Sequence, residues 1–366
     1  MHQTETSRRS VLVNGRFLSQ PVTGVQRYAH ELLAALDTLI CSGQLPEVAV
    51  TVLAPHNILR RPPWKSIEFR QIGKLTGHLW EQLELPLFAR GQLLFTPSGG
   101  APLFHNRNVI TIHDAAPFST PHAYSLVYRT YYKTLQRLLA RTAAQIITVS
   151  EFSKKELVRH LRLPPNRISV TMLSGQHILR EPPDQSIFSR LSLPKEPYVL
   201  AVASRNPNKN IPTLEAAFSS LKLPGVWLVL AGGSNSAVFG KSEALGATVR
   251  QLGTVTDAEL RCLYENAACF VFPSFYEGFG LPPLEALTVG CPIVVSRAAS
   301  LPEVFGDVAS YFDPHSVPDI AAKISSVLHS NNTSRQQLIE KSNEFSWEKC
   351  AAATMSILCR ILDKPT

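Results

Sequence analysis

The stretch Phe270-Val271-Phe272-Pro273-Ser274-Phe275-Tyr276-Glu277-Gly278-Phe279-Gly280-Leu281-Pro282-Pro283-Leu284-Glu285-Ala286-Leu287 constrains the chain more than any other. A short apolar run stops at Pro273 and an apolar pattern resumes after Pro283 in a different register, which predicts a strand, a loop and a helix in that order. Proline suits the first helical turn because the amide it lacks has no intrahelical partner there, so the helix is expected to start at Pro282 or Pro283. Glu277 then falls in the loop and Glu285 on the helix. On one continuous helix this spacing would set the two side chains roughly 80° apart. A loop between them lets both carboxylates converge on one ligand. Gly278 and Gly280 admit close approach of the backbone, and the amides of Phe279 and Gly280 together with the helix N-terminus suit hydroxyls or a phosphate.

Glu277 and Glu285, with Gly278-Phe279-Gly280-Leu281 between them, resemble the Glu-x7-Glu signature of family 4 retaining glycosyltransferases. Within that family the chain is most similar to the mannosyltransferase-B-like branch that builds bacterial O-antigen and related polysaccharides, with matching segments from Val13 to about Trp347. The resemblance implies an α/β chain of the GT-B class, two Rossmann-like domains facing each other across a cleft. The expected division is an acceptor-side domain over 1–176, a linker over 177–197 that is polar and rich in proline, a nucleotide-sugar domain over 198–346, and a last helix over 347–366 crossing back to the first domain. The implied reaction moves a hexose from a nucleoside diphosphate sugar to a saccharide or lipid-linked saccharide acceptor with retention of configuration. The nucleotide sugar is a co-substrate and no bound cofactor is expected; the absence of an Asp-x-Asp motif points to turnover without a metal. GDP-mannose is the donor expected from the branch alone. A UDP- or dTDP-sugar donor, or a sugar-nucleotide epimerase or hydrolase, is the alternative on the same fold.

At 366 residues and 45% hydrophobic content the chain exceeds one typical domain and suits two of Rossmann size. The six cysteines form no C-x-x-C pair or partnered His cluster, so they read as buried, reduced thiols of a cytosolic protein. No apolar run approaches the length of a spanning helix, and the first ten residues are polar, which argues against a signal peptide and leaves only peripheral membrane contact. Residues 1–182 carry 21 Lys and Arg against 11 Asp and Glu, whereas residues 183–366 carry 15 against 17, so the basic excess belongs to the first half. The cations are dispersed and lack an aromatic platform, which disfavours nucleic acid and favours anionic lipid headgroups.

Val11-Leu12-Val13 is a strand leading into Asn14-Gly15-Arg16, and Thr23-Gly24 opens a helix with Leu32, Leu33 and Leu36 on one face. By the resemblance Gly24 lets the backbone meet the donor diphosphate; read alone it is a turn glycine. Strands are expected over 48–53, 67–71 and 93–96. The segment Gly77-His78-Leu79-Trp80-Glu81-Gln82-Leu83 resembles a recurrent feature of the same branch and implies no role. The β-branched run ending at Ile112 delivers His113-Asp114 to the C-terminal end of a strand, where ligands of open α/β sheets bind. The resemblance makes His113 the residue that hydrogen-bonds the sugar near its reacting carbon, with Asp114 able to orient the imidazole. A helix over 125–144 sets Arg129, Lys133, Arg137 and Arg141 at intervals of four, either a solvated face or a contact with an anionic membrane.

The second half opens with the strand Tyr198-Val199-Leu200-Ala201-Val202 and a loop carrying Arg205 and Lys209 just ahead of a helix. Two cations beside a helix N-terminus suit a departing diphosphate, and the segment resembles the family's Arg…Lys-Asn loop. By the same resemblance Glu285 holds the ribose hydroxyls, Glu277 and the amides from Gly278 to Leu281 position the sugar, and the backbone near Val255 borders the base. No internal repeat is visible, although the two halves are expected to share an architecture.

Overall fold

The structure, a computed structural model, describes residues 9–191, 193, 196–202, 206–232, 249–329 and 334–364. Among them the chain forms two compact units. The first holds the chain up to Ser119, Ser125–Leu173 and the helix Trp347–Leu362; the second holds Thr120–Tyr124 and Ser174–Ser346.

The first unit is built on a parallel sheet of seven strands: β1 (Ser10–Asn14), β2 (Ala49–Ala54), β3 (Glu68–Gln71), β4 (Leu93–Thr96), β5 (Asn108–Thr111), β6 (Gln145–Thr148) and β7 (Ile168–Val170), in the order β3-β2-β1-β4-β5-β6-β7. Every residue of β4, β5 and β6 is buried, as expected of inner strands covered on both faces by helices. The edge strand β3 is the polar run Glu-Phe-Arg-Gln and lies mostly exposed, which discourages pairing with another chain. Thr23 and Gln26 form a capping box at the start of the helix Gly24–Cys41, whose Leu32, Leu33 and Leu36 are buried. The helix Trp347–Leu362 packs against it through an apolar face that includes Trp347, Ala351, Met355 and Leu358.

The second unit carries six parallel strands, β8 (Tyr198–Val202), β9 (Trp227–Ala231), β10 (Val249–Gly253), β11 (Cys269–Phe272), β12 (Ile293–Ser296) and β13 (Ser310–Phe312), in the order β10-β9-β8-β11-β12-β13. Its core joins Val199, Ala201, Leu228, Leu230 and Val271 of the sheet to Leu214, Phe218, Ile320 and Ile324 of the covering helices. The segment 177–197, expected as a linker, is instead built into this unit: Ile187 is fully buried and His177 nearly so. Two short helical turns, Gln176–Leu179 and Ser186–Arg190, lie within it.

Both sheets reverse their strand order at one place, between β1 and β4 in the first unit and between β8 and β11 in the second. Loops leaving adjacent strands diverge there and open a crevice at the C-terminal edge, the usual ligand position in open α/β sheets. In the second unit the two loops that flank the reversal carry Lys209 and Glu277.

Candidate active site

Lys209 ends a short 3-10 turn, Pro207–Lys209, and the residues around it are tied down by asparagines. Asn206 accepts the Asn208 amide through its side chain at 2.9 Å. Asn210 adopts a left-handed φ of 53° and donates its Nδ2 to the carbonyls of Pro273 (3.2 Å) and Pro314 (2.8 Å), at the ends of β11 and β13. The Asn208 carbonyl accepts the Phe275 amide at 2.8 Å, and its Nδ2 donates to Thr120 Oγ1 at 3.1 Å. Held this way, Lys209 places Nζ 2.6 Å from Glu277 Oε1 and 4.8 Å from the centre of the Phe272 ring. Arg205, the expected second cation of this loop, lies outside the described residues.

The loop after β11 is equally fixed. Ser300 Oγ donates to the Glu277 carbonyl at 2.9 Å, and the buried Phe279 ring meets Phe345 edge-on at 5.8 Å. Gly280 has φ +97°, and a Cβ there would stand 2.6 Å from Leu301 Cδ2, so both conformation and space require glycine. The helix runs Leu281–Thr288 with Gly280 as its cap, beginning one residue before the expected Pro282. Pro282 and Pro283 therefore lie inside the first turn and supply no donor. Of the first three residues of the helix only Leu281 carries a backbone N–H.

Glu285 is buried on this helix, and both of its oxygens are engaged: Oε1 with His177 Nε2 at 2.9 Å, Oε2 with the Tyr264 hydroxyl at 3.0 Å. Burial, reinforced by the neighbouring carboxylate, pushes the Tyr264 phenol well above its ordinary pKa, so it stays a neutral donor. Gly175 allows the His177 turn to approach, since a Cβ at that position would lie 2.7 Å from the Leu284 carbonyl. Glu277 and Glu285 thus have separate partners. Val255 is half-buried in the loop before the helix Asp257–Asn266, which Thr256 and Glu259 cap as a box.

In the first unit His113 follows β5 and accepts no help from Asp114, whose Oδ1 takes the Ala116 amide at 2.8 Å. The imidazole is set instead by the Pro97 carbonyl, 3.2 Å from Nε2, and by the Tyr28 ring packed edge-on at 4.8 Å. A carbonyl only accepts, so Nε2 carries the proton and Nδ1 is left as an acceptor. Desolvation holds the His113 pKa down to about 4, which keeps the ring neutral. Gly24 is the first residue of its helix, and a Cβ there would meet no atom within 4 Å, so packing within the chain does not demand glycine.

Sequence reading missed a buried cluster beside β1. Glu81 Oε1 accepts from Asn14 Nδ2 (2.8 Å) and Arg16 Nε (3.0 Å). Burial opposes its charge, but His78, Arg16 and Asn14 together hold the carboxyl below its usual range. The recurrent segment around Trp80 thus anchors the loop that leaves β1. The four cations of the basic stripe have different surroundings. Within the helix Leu126–Thr142, Arg129 and Lys133 are half-buried and only Arg137 and Arg141 are exposed. Lys133 and Arg137 each lie 5.3 Å from the centre of Phe118, whose ring also stacks on His160, so two of the four cations cover an aromatic ring of their own unit.

Two Rossmann-type units, the second with a lysine-glutamate pair and a glycine-rich turn at its strand-order reversal, make the GT-B architecture. Residues 22–171 match the family described as Glycosyltransferase Family 4, and residues 184–345 match that described as Glycosyl transferases group 1. The chain is 34% identical to the O-antigen chain mannosyltransferase B of Escherichia coli, over 68% of this chain and 69% of that protein. It is 27% identical to the O-antigen chain mannosyltransferase RfbU of Salmonella typhimurium, over 83% and 87% of the two chains. Among solved structures, the sucrose-phosphate synthase of Thermosynechococcus elongatus superposes with a TM-score of 0.73 at 21% identity, covering 97% of this chain and 99% of that one. The chain belongs to glycosyltransferase family 4.

Proposed function

We propose that this glycosyltransferase moves mannose from GDP-mannose to a saccharide or lipid-linked saccharide acceptor in O-antigen assembly, in the cytoplasm, with retention of configuration and without a metal. The mannose and O-antigen parts of this reading draw on the two mannosyltransferases it resembles. The observation that carries the chemistry is the Lys209–Glu277 pair at the strand-order reversal of the second unit. An ammonium group has three donors. Glu277 occupies one of them and fixes the group, leaving the others for the oxygens of a diphosphate. As the bond from the sugar to the diphosphate breaks, negative charge grows on the leaving group, and a cation held in place beforehand stabilises that charge without reorganising. Arg205 would add a second cation from the same loop. Glu277 and the amides from Gly278 to Leu281 would orient the sugar, and Glu285 would meet the ribose. His113 would accept a sugar hydroxyl at Nδ1.

The test is a thermal-shift screen of GDP-, UDP-, dTDP- and ADP-sugars, since a ligand that binds only the native state raises its stability. The best binder then goes into a transfer assay in excess chelator, with the anomeric configuration of the product read by NMR. Selective stabilisation by GDP-mannose and an α-linked product support the reading. Stabilisation by another nucleotide alone, an inverted product, or activity that only a divalent metal restores would overturn the corresponding part.

A further inference from the structure

The helical segment over 77–88 in the first unit has an outward face of the wrong polarity for water. It runs as three abutting pieces, Gly77–Leu79, a π turn Trp80–Glu84, and Leu85–Phe88. Pro86, which has no amide to donate, follows the widened turn. The inward face is full: Trp80, Glu81, Leu85 and Ala89 are buried, and Trp80 Nε1 donates to the Ile72 carbonyl at 2.9 Å. The outward face carries Leu79, Leu83, Leu87 and Phe88, which are 62%, 56%, 73% and 50% exposed.

Apart from the exposed His78, the polar side chains of this segment are turned the other way. Glu81 is spent on Arg16 and Asn14. Glu84 accepts the amides of Lys74 and Leu75 at 2.9 Å each, and Gly73, whose missing Cβ would collide with that carboxylate, makes room for it. Gln82 bridges the Ala101 carbonyl and the Leu103 amide, next to Phe104, which is 87% exposed. Both acids are thereby withdrawn from the outward face. The exposed Lys74 and Arg90 flank it at either end. An apolar stripe with cations at its edges and no acid of its own fits the interface of an anionic bilayer, where leucines enter the acyl boundary and cations meet the headgroups.

We propose that the 77–88 helix docks the first unit onto an anionic lipid surface, with Leu79, Leu83 and Leu87 inserted and Lys74 and Arg90 at the headgroups. This deepens the proposed function and rests on it only in supposing a lipid-linked acceptor; the contact itself is argued from the helix. It also moves the expected membrane contact away from the basic stripe, half of which covers Phe118. No helix among the described residues is long and apolar enough to cross a membrane, so this contact would lie in the interface.

The experiment is co-sedimentation of the full chain with vesicles of phosphatidylglycerol and phosphatidylcholine, compared with phosphatidylcholine alone, at low and high salt. Wild type is expected to bind the anionic vesicles and to weaken with salt as the Debye length contracts. The triple variant Leu79→Ser, Leu83→Ser, Leu87→Ser should lose about tenfold or more in partitioning while keeping its melting temperature, because the three side chains are exposed in the free protein. Arg137→Gln with Arg141→Gln should bind nearly as wild type. Equal binding by the triple variant, no binding by wild type, or a concentration-dependent dimer in sedimentation that the triple variant abolishes would overturn the proposal. Thermal shift with GDP-mannose on the same preparations separates the two readings, since vesicle binding and donor binding can fail independently.

Discussion

Lys209 Nζ stands 2.6 Å from Glu277 Oε1 although 68 positions of chain separate the two residues. The strand order brings them together: β8 and β11 are neighbours, and each side chain leaves on the loop that follows one of them. Both are only partly exposed, at 23% and 17%, and Phe272 lies beneath the ammonium. An aromatic face and a carboxylate on one ammonium hold it in one position.

Lys209→Ala should lower kcat by a factor of 10² to 10³, on the order of 2–4 kcal/mol of transition-state stabilisation, with a smaller effect on donor affinity. Lys209→Arg should recover only part, since a planar guanidinium does not reproduce a compact ammonium over Phe272. Steady-state kinetics with the donor varied decide the matter. An unchanged kcat in Lys209→Ala would remove the residue from the chemistry.

The neutral His113 gives a pH dependence of defined sign. Its folded pKa of about 4 lies below the ordinary value near 6.5, so the unfolded chain binds more protons between those limits. The contribution is fully present above about pH 6.5 and is lost as pH falls toward 4, by about 2 kcal/mol at pH 5 and about 3 kcal/mol in full. Urea unfolding of wild type and His113→Gln at pH 7 and pH 5 is the measurement. The variant should lose less stability on acidification, and identical losses would mean that the ring titrates normally.

Tyr264→Phe removes one donor to the buried Glu285 and keeps the ring against Phe270. The carboxylate then lacks a partner it cannot replace from water. A loss of about 1–3 kcal/mol in unfolding free energy is expected. If Glu285 also meets the ribose, donor affinity should fall as well, which isothermal titration with GDP would register. A variant with unchanged stability and affinity would show that the hydroxyl carries neither role.

The strands and the loop-helix stretch were legible because inner parallel strands are short, mostly apolar and punctuated by Pro, Gly and Asn. The β11 region could hardly be read otherwise, and the helix start differed by one residue because Gly280, not proline, sets it. The supports of the site were not legible. Asn208 and Asn210 are ordinary loop residues until β11 and β13 bring Pro273, Phe275 and Pro314 beside them. His177 sat in a polar, proline-rich segment that reads as a tether, and only its burial against Glu285 gives it a role. The stripe of Arg129, Lys133, Arg137 and Arg141 was read at the right spacing, but spacing alone did not reveal that Phe118 lies beneath two of them. The apolar face of the 77–88 helix went unread for a related reason. Its leucines have helical periodicity, which ordinarily marks an inward face.

Gly280 offers a test of whether the turn between the two glutamates is fixed by the chain itself. Alanine there meets two separate penalties: a left-handed backbone at φ +97°, and a Cβ 2.6 Å from Leu301 Cδ2 and 3.2 Å from Phe305 Cε2. Strain of the first kind costs about 1–3 kcal/mol, and overpacking adds a similar amount when neighbours cannot move. The Leu301→Ala background removes the nearest clashing atom and leaves the backbone penalty in place. Gly280→Ala should therefore lower the unfolding free energy by several kcal/mol in wild type and by distinctly less in Leu301→Ala, a difference that a double-mutant cycle measures directly. Donor affinity should fall in both backgrounds, since the amides from Gly278 to Leu281 move with the turn. Full recovery of affinity in the double variant would show that packing alone, and not the left-handed turn, holds those amides in place.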